Sequence, residues 1–261
     1  MSALRVALIG GLLSFRGLFN WLHPALFIPT LIVPPLFQVL FFAYLGRAAE
    51  LESDTFYVVG NSIQLAALPG LFAMSQAIAG ERRAQTLPHL LASPASRLAV
   101  FLGRSLPVIA LGIGVSLASF TFGALVLDVQ MSWSALPLLV LAMATAAFSC
   151  AALGIAHAGI ALRVRELAVF SNLVFAALLV FCGVNVPLDD LPGWMSTVAQ
   201  GLPVTHAVEA GRQAVAGGTF ADVAGLLATE LAIGAAFLVL GLALLRYYEY
   251  VARRHATLEL T

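Results

Sequence analysis

Six apolar stretches occur along this chain, at 24–45, 56–79, 105–127, 135–162, 167–186 and 223–245. Each is about as long as the roughly 20 residues a helix needs to cross the hydrocarbon core of a bilayer. The first five contain no Asp, Glu, Lys or Arg, and the sixth contains one acid, Glu230. A backbone surrounded by lipid must satisfy its own polar groups, and for runs of this length that means helix. The pattern predicts an all-α polytopic membrane protein with six transmembrane helices. Composition agrees, with 61% hydrophobic and 10% charged residues, against about 25% charged in a soluble domain. Six crossings and their connections use up most of the 261 residues. A single transmembrane domain over 1–261 is therefore expected, with no sizeable soluble one.

The placement of charge orients the helices. All thirteen basic residues are Arg. An even number of spans puts both termini on one side, and eleven of the Arg fall there: Arg5, Arg16, Arg82, Arg83, Arg97, Arg104, Arg163, Arg165, Arg246, Arg253 and Arg254. Arg47 and Arg212 fall on the other side, together with Glu50, Glu52, Asp54, Asp128, Asp189, Asp190, Glu209 and Asp222. Cytoplasmic loops carry the excess of positive charge, so both termini are expected in the cytoplasm. Net charge is zero, and nothing points to nucleic acid. Tyr247, Tyr248 and Tyr250 suit an interfacial aromatic belt beyond the last span.

Two segments outside the spans also carry helical patterns. In 1–23, Leu4, Leu8, Leu12, Phe15 and Phe19 recur at helical spacing, which reads as an interfacial helix lying on the membrane or as an extension of the first span. The stretch 187–222 is too long for a turn and too short and polar for two further crossings. It reads as two short helices on the outer side. One follows Asp190 as N-cap and places Leu191, Trp194, Met195, Val198 and Leu202 on one face. The other is capped by Thr205, runs through Val208 and Arg212, and stops at Gly217 and Gly218. Half-buried, re-entrant helices and a surface loop are both compatible with this pattern.

Several chemistries lack their residues. A Walker-type phosphate loop needs a Lys, and the chain has none. The five histidines, His23, His89, His157, His206 and His255, are scattered, and no H-E-x-x-H pair is present to hold a metal. Cys150 and Cys182 lie inside apolar runs and read as buried thiols. His157, the one histidine well inside a span, reads as a packed, hydrogen-bonded residue. No catalytic residue and no bound cofactor are therefore expected on this chain. The connection after the second span is more informative. Glu81, Arg82 and Arg83 open it, Leu87, Leu90 and Leu91 form an apolar face, and Ser93 and Pro94 close it. This is the spacing of a short amphipathic helix over 81–94. Physics alone leaves it as an interfacial anchor or a docking helix. Pro88 fits only a first turn, so the helix would start at Thr86.

With these residues the sequence resembles the membrane-spanning permeases of type 2 ABC exporters, in particular those of bacterial drug and antibiotic exporters. The resemblance rests on Glu81, Arg82, Thr86, Leu87, Leu90, Leu91, Ser93 and Pro94. It rests equally on the outer P-x-T-H and E-x-x-R elements, here Pro203, Thr205, His206, Glu209 and Arg212. Gln85 and Pro88 depart from the usual pattern, where a Gly precedes the Thr and an acid often follows the Leu. The resemblance implies a bacterial plasma (inner) membrane, two copies of a separate ATP-binding subunit carrying ATP and Mg, and a second permease subunit, identical or homologous. It implies that Glu81, Arg82, Arg83, Thr86, Leu87, Leu90 and Leu91 form a coupling helix resting on the ATP-binding subunit. The outer pair of helices, with Pro203, Thr205, His206, Glu209 and Arg212, is implied to be the gate past which substrate leaves.

Phe120, Phe122, Phe148, Phe170, Phe175 and Phe181 in nearly uncharged spans suit a hydrophobic or amphipathic guest, or else face lipid. Export of a drug or natural product is the leading expectation, with a lipid or lipid-linked cell-envelope glycan as the alternative. An intramembrane enzyme or a membrane scaffold is the reading from another class. Pro24, Pro29, Pro34 and Pro35 either bend the first span or merely shape it. Glu230 lies about 12 Å beyond Asp222 at the helical rise of about 1.5 Å per residue. A carboxylate there should face protein or water, with Arg212 as the expected partner and His206 as the alternative, Glu209 competing for the same Arg. It serves either to pin the outer helices to the sixth span or in the path itself.

Overall fold

The computed structural model describes residues 24–73, 97–161 and 167–255. The segment 1–23 and the coupling segment, with Glu81, Arg82, Arg83, Thr86, Leu87, Leu90 and Leu91, lie outside the described residues. Among those described, all regular structure is helical: α1 (Pro24–Ala49), α2 (Asp54–Gln64), α3 (Arg97–Leu127), α4 (Leu136–Ala161), α5 (Leu167–Phe181), α6 (Gly193–Ala199), α7 (Thr205–Val215) and α8 (Phe220–His255). Single 3₁₀ turns at Trp133–Ala135 and Leu188–Asp190 precede α4 and α6. Five helices are long and apolar enough to cross a membrane, and the sixth apolar run, Val169–Phe181 in α5, is shorter.

The ends of the helices follow from local chemistry. Ser53 caps α2, its hydroxyl accepting from the Phe56 amide at 3.2 Å. The α1–α2 turn is closed by Arg47, whose guanidinium Nε donates to both Asp54 carboxylate oxygens at 2.8 and 2.9 Å. α1 ends in a Schellman motif, with Leu51 N–H reaching Gly46 O at 3.2 Å while Glu50 takes φ 54°. α3 ends the same way on Asp128, with Val129 N–H on Ala124 O at 3.0 Å. α7 ends on Gly217, which has φ 98° and lets Gly218 N–H reach Gln213 O at 2.9 Å.

Two expected spans show local detail. The second, apolar over Asp54–Ala73, carries a turn at 65–66 between α2 and helix over 67–73. The fifth ends at Phe181 instead of Val186. There the chain reverses at Gly183, whose φ of 69° is one that glycine adopts without a Cβ penalty.

Close packing by small residues builds the bundle. α8 packs against α4 along its length. A Cβ added at Gly241 would lie 2.7 Å from the Ala156 backbone nitrogen, and one at Gly234 would lie 2.8 Å from the Phe148 ring. Gly159 meets Leu244 Cβ in the same way, at 2.9 Å. Hydrophobic burial does little to hold helices together in lipid, so such backbone approach carries the association. α2 runs through the middle, with Tyr57 to Gln64 all buried. Its Asn61 and Gln64 take Gln38 of α1 as a donor at 3.2 and 3.0 Å.

Gly241→Leu should overpack the α4–α8 seam and lower stability by about 1–3 kcal/mol, read as a lower unfolding temperature in detergent. Gly225→Leu in the same helix, where nothing lies within 4 Å of the new Cβ, should stay within about 0.5 kcal/mol. Equal losses in the two variants would contradict this account of the seam.

Candidate functional site

The outer residues singled out in the sequence converge on a helical hairpin, α6 and α7, of which α7 packs against α2, α4 and α8 while α6 meets α5. Ala207, Val208, Ala210, Gly211 and Ala214 form the buried face of α7. Its head departs from expectation. Thr205 is the first helical residue and does not cap the helix. The N-cap is Val204, which offers no acceptor. The freed Thr205 hydroxyl donates to Ala199 O at 2.8 Å, and His206 Nε2 lies 3.1 Å from Gln200 O. The Thr-His pair of α7 thus reaches the last carbonyls of α6, which have no intrahelical donor, and folds the hairpin. Pro203 offers its carbonyl to the Cys182 thiol at 3.3 Å. Asp190 likewise does not cap α6. It ends the preceding 3₁₀ turn, and the N-cap of α6 is Pro192.

The acceptor missing at α7 comes from α8. Glu230 has no solvent exposure. Its Oε1 accepts from the Val204 amide at 2.7 Å and from the Ser149 hydroxyl of α4, and its Oε2 accepts from the Ala207 amide at 3.3 Å. Ala207 is the third helical residue, whose amide an N-cap side chain normally satisfies. Glu230 therefore does from another helix what Val204 cannot. The positive end of the α7 dipole faces the carboxylate, which adds to the attraction. The expected ion pair with Arg212 does not form, and His206 is bound elsewhere.

Arg212 holds the other end of α7. Its Nη1 donates to Gly183 O at 2.8 Å, and its Nη2 donates to Val184 O at 2.9 Å and Phe56 O at 3.3 Å. The guanidinium carbon sits 3.4 Å from the centre of the Phe56 ring. One side chain thus fastens the reversal after α5 to α7 and α2. Burial lowers this group to about 10, with Glu209 and Glu52 pulling the other way, so it stays cationic at neutral pH. Gly60 makes room: a Cβ there would lie 2.6 Å from Arg212 Nη2. Asn61 adds a bond to Asn185 Oδ1 at 2.9 Å. Glu209 accepts from Gln213 at 2.9 Å. Beside it is a cavity of about 260 Å³, lined by Phe56, Asp189, Thr205, Glu209 and Arg212 among others.

Sequence reasoning missed Ser149, Gly60, Asn61, Gly183 and Asn185. Isolated polar residues and glycines within apolar runs were the available signal. The aromatic residues proposed for a path mostly pack within the chain. Phe120 is buried, Phe148 lies on Gly234, and Phe170 lies 4.7 Å from the His157 ring. Phe175 meets Phe72, and Phe181 meets Trp194. His157 is buried with Ser171 Oγ 3.5 Å from its Nδ1, a packed residue as expected.

Arg212→Lys keeps the charge but loses the planar fork that serves three carbonyls. It should cost about 1–3 kcal/mol through carbonyls left without donors, measured as a drop in unfolding temperature. An unchanged transition would show that the carbonyl contacts contribute little.

Among curated proteins the sequence finds no match. The family described as ABC-2 type transporter matches over residues 13–215, a stretch that includes α1 to α7. The chain belongs to the ABC-2 type transporter family, as a multi-pass permease that lacks the ATPase domain and works with ATP-binding subunits.

Proposed function

We propose that this permease exports a hydrophobic or amphipathic compound, a drug or natural product, outward across a bacterial plasma membrane, and so contributes to antibiotic resistance. Two permease subunits, identical or homologous, act with two ATP-binding subunits that carry ATP and Mg. Both termini are cytoplasmic, as the Arg asymmetry indicates, and the α6–α7 hairpin lies on the outer side. The observation that carries the reading is how this hairpin is held. It is fastened by Glu230 at its head and Arg212 farther along, which suits a gate latched to the bundle.

The coupling segment 81–94 rests on the ATP-binding subunit through Leu87, Leu90 and Leu91, flanked by Glu81, Arg82, Arg83 and Thr86. Closure of the ATP-binding subunits is a rigid-body motion, and a helix at the interface passes it to the spans. The gate residues Pro203, Thr205, His206, Glu209, Arg212 and Glu230 then release the guest outward. A low density of charge in the spans favours an apolar guest over a polyanion.

Leu90→Asp should abolish compound-stimulated ATP hydrolysis, or lose the ATP-binding subunit on copurification, while the variant still inserts. Normal export with the partner bound would reduce 81–94 to a membrane anchor. Amphipathic drugs should stimulate ATP hydrolysis by the purified complex, whereas stimulation by lipid-linked saccharides alone would overturn the assignment of cargo. Cysteines at positions 53 and 96 should label from outside and from the cytoplasm respectively, and the reverse pattern would invert the topology.

A further inference from the structure

Three described residues other than glycine have positive φ: Glu50, Asp128 and Val204. The first two are exposed acids at helix C-termini, where the left-handed conformation is an ordinary way to end a helix. Val204 is different. It is β-branched, fully buried, and has φ 83° with ψ −34° at the start of a helix. A positive φ is strongly disfavoured for a branched side chain. Such strain persists only where the surroundings impose it, and it gathers at switch regions.

The surroundings that impose it are visible. The Val204 amide donates to Glu230 Oε1 at 2.7 Å, while its carbonyl accepts the Val208 amide at 2.9 Å, the first bond of α7. Rotating Val204 to an ordinary negative φ turns its amide away from the carboxylate or breaks that first helical bond. The strained backbone and the Glu230 contact therefore stand or fall together. Glu230 belongs to α8 and is braced by Ser149 of α4, so it comes from the bundle and not from the hairpin it holds.

We propose that Val204 is the hinge of the hairpin and Glu230 its catch. With the catch engaged, Val204 stores strain in the closed arrangement. When α8 and α4 shift against α7, the catch lets go, Val204 relaxes, and the turn 200–203 with α6 swings away from α7. Both are positioning residues for export and need not touch the cargo. The hinge rests on the reading of the hairpin as a gate, and it assigns that gate a mechanism.

The test uses the full permease with its ATP-binding partner in proteoliposomes. Cys150 and Cys182 are replaced by Ser, and Ala199→Cys in α6, a position with no exposure, serves as the reporter for an impermeant maleimide. Val204→Gly removes the strain and favours the closed arrangement, so labelling should slow about tenfold. Val204→Ile keeps the strain and should label like the parent. Glu230→Gln weakens the catch and should label faster, and Val204→Gly should bring that variant back toward the parent rate. Transport per ATP should fall in Val204→Gly. Faster labelling in Val204→Gly, or equal rates in the Gly and Ile variants, would overturn the hinge, and this pair decides even where Glu230→Gln fails to assemble. Labelling does not depend on cargo. The expected labelling pattern in a complex that exports nothing would leave the hinge standing and sink the exporter reading.

Discussion

A carboxylate removed from water has to be met by donors, and a helix that begins inside a protein has to have its first amides met by acceptors. Glu230 and the head of α7 solve both problems in one contact. Val204 and Ala207 provide the amides, Glu230 provides the two oxygens, and Ser149 completes the set. Cutting this contact would leave a buried acid and an uncapped helix together, each costing about 1–3 kcal/mol or more. The placement of the hairpin follows from it, because the acid is fixed on α8 and the amides have one place to go.

The contact in turn depends on how closely α8 approaches α4. Gly234 lies against Phe148 and Ser149, one helical turn beyond Glu230. That backbone proximity lets a serine hydroxyl reach the carboxylate at all. A larger residue at 234 would separate the helices and remove the brace. Arg212 plays a parallel part at the opposite end of α7. It gathers the Gly183 and Val184 carbonyls after α5, groups that no secondary structure satisfies, and shares the Phe56 carbonyl of α2. A positive charge among carbonyl dipoles and an aromatic face needs no paired acid, which leaves Glu209 free to bond Gln213 along its own helix.

The long helices could be read from the sequence because in lipid a run of apolar residues has one backbone solution. The same logic located the hairpin, since 187–222 could neither span nor simply turn. What failed was the assignment of partners within it. Thr205 looks like a cap by residue type, yet an N-cap preference is worth only about 1 kcal/mol, and an acid arriving from α8 outweighs it. Glu230 and Arg212 are the obvious pair by charge, yet each is better served by backbone groups whose availability depends on tertiary structure. The end of α5 at Phe181 depended on Gly183, and glycine in an apolar run reads equally as a packing residue. Ser149 and Asn61 were unremarkable in a composition that tolerates polar residues wherever a partner helix covers them.

The turn at 65–66 divides the second membrane segment into two bodies with different loyalties. The part before it carries Phe56, Gly60 and Asn61, and is tied to the hairpin through Arg212 and to the bend after α5 through Asn185. The part after it carries Gly70, which lies against the Cys150–Ala151 backbone of α4. A rod without the turn would deliver any displacement at one end undiminished to the other. A jointed rod converts part of a push along its axis into an angle, and the joint sets the ratio. In this segment the turn at 65–66 stands between a half fastened to Arg212 and a half packed on α4, so the two ends of one crossing answer to different neighbours.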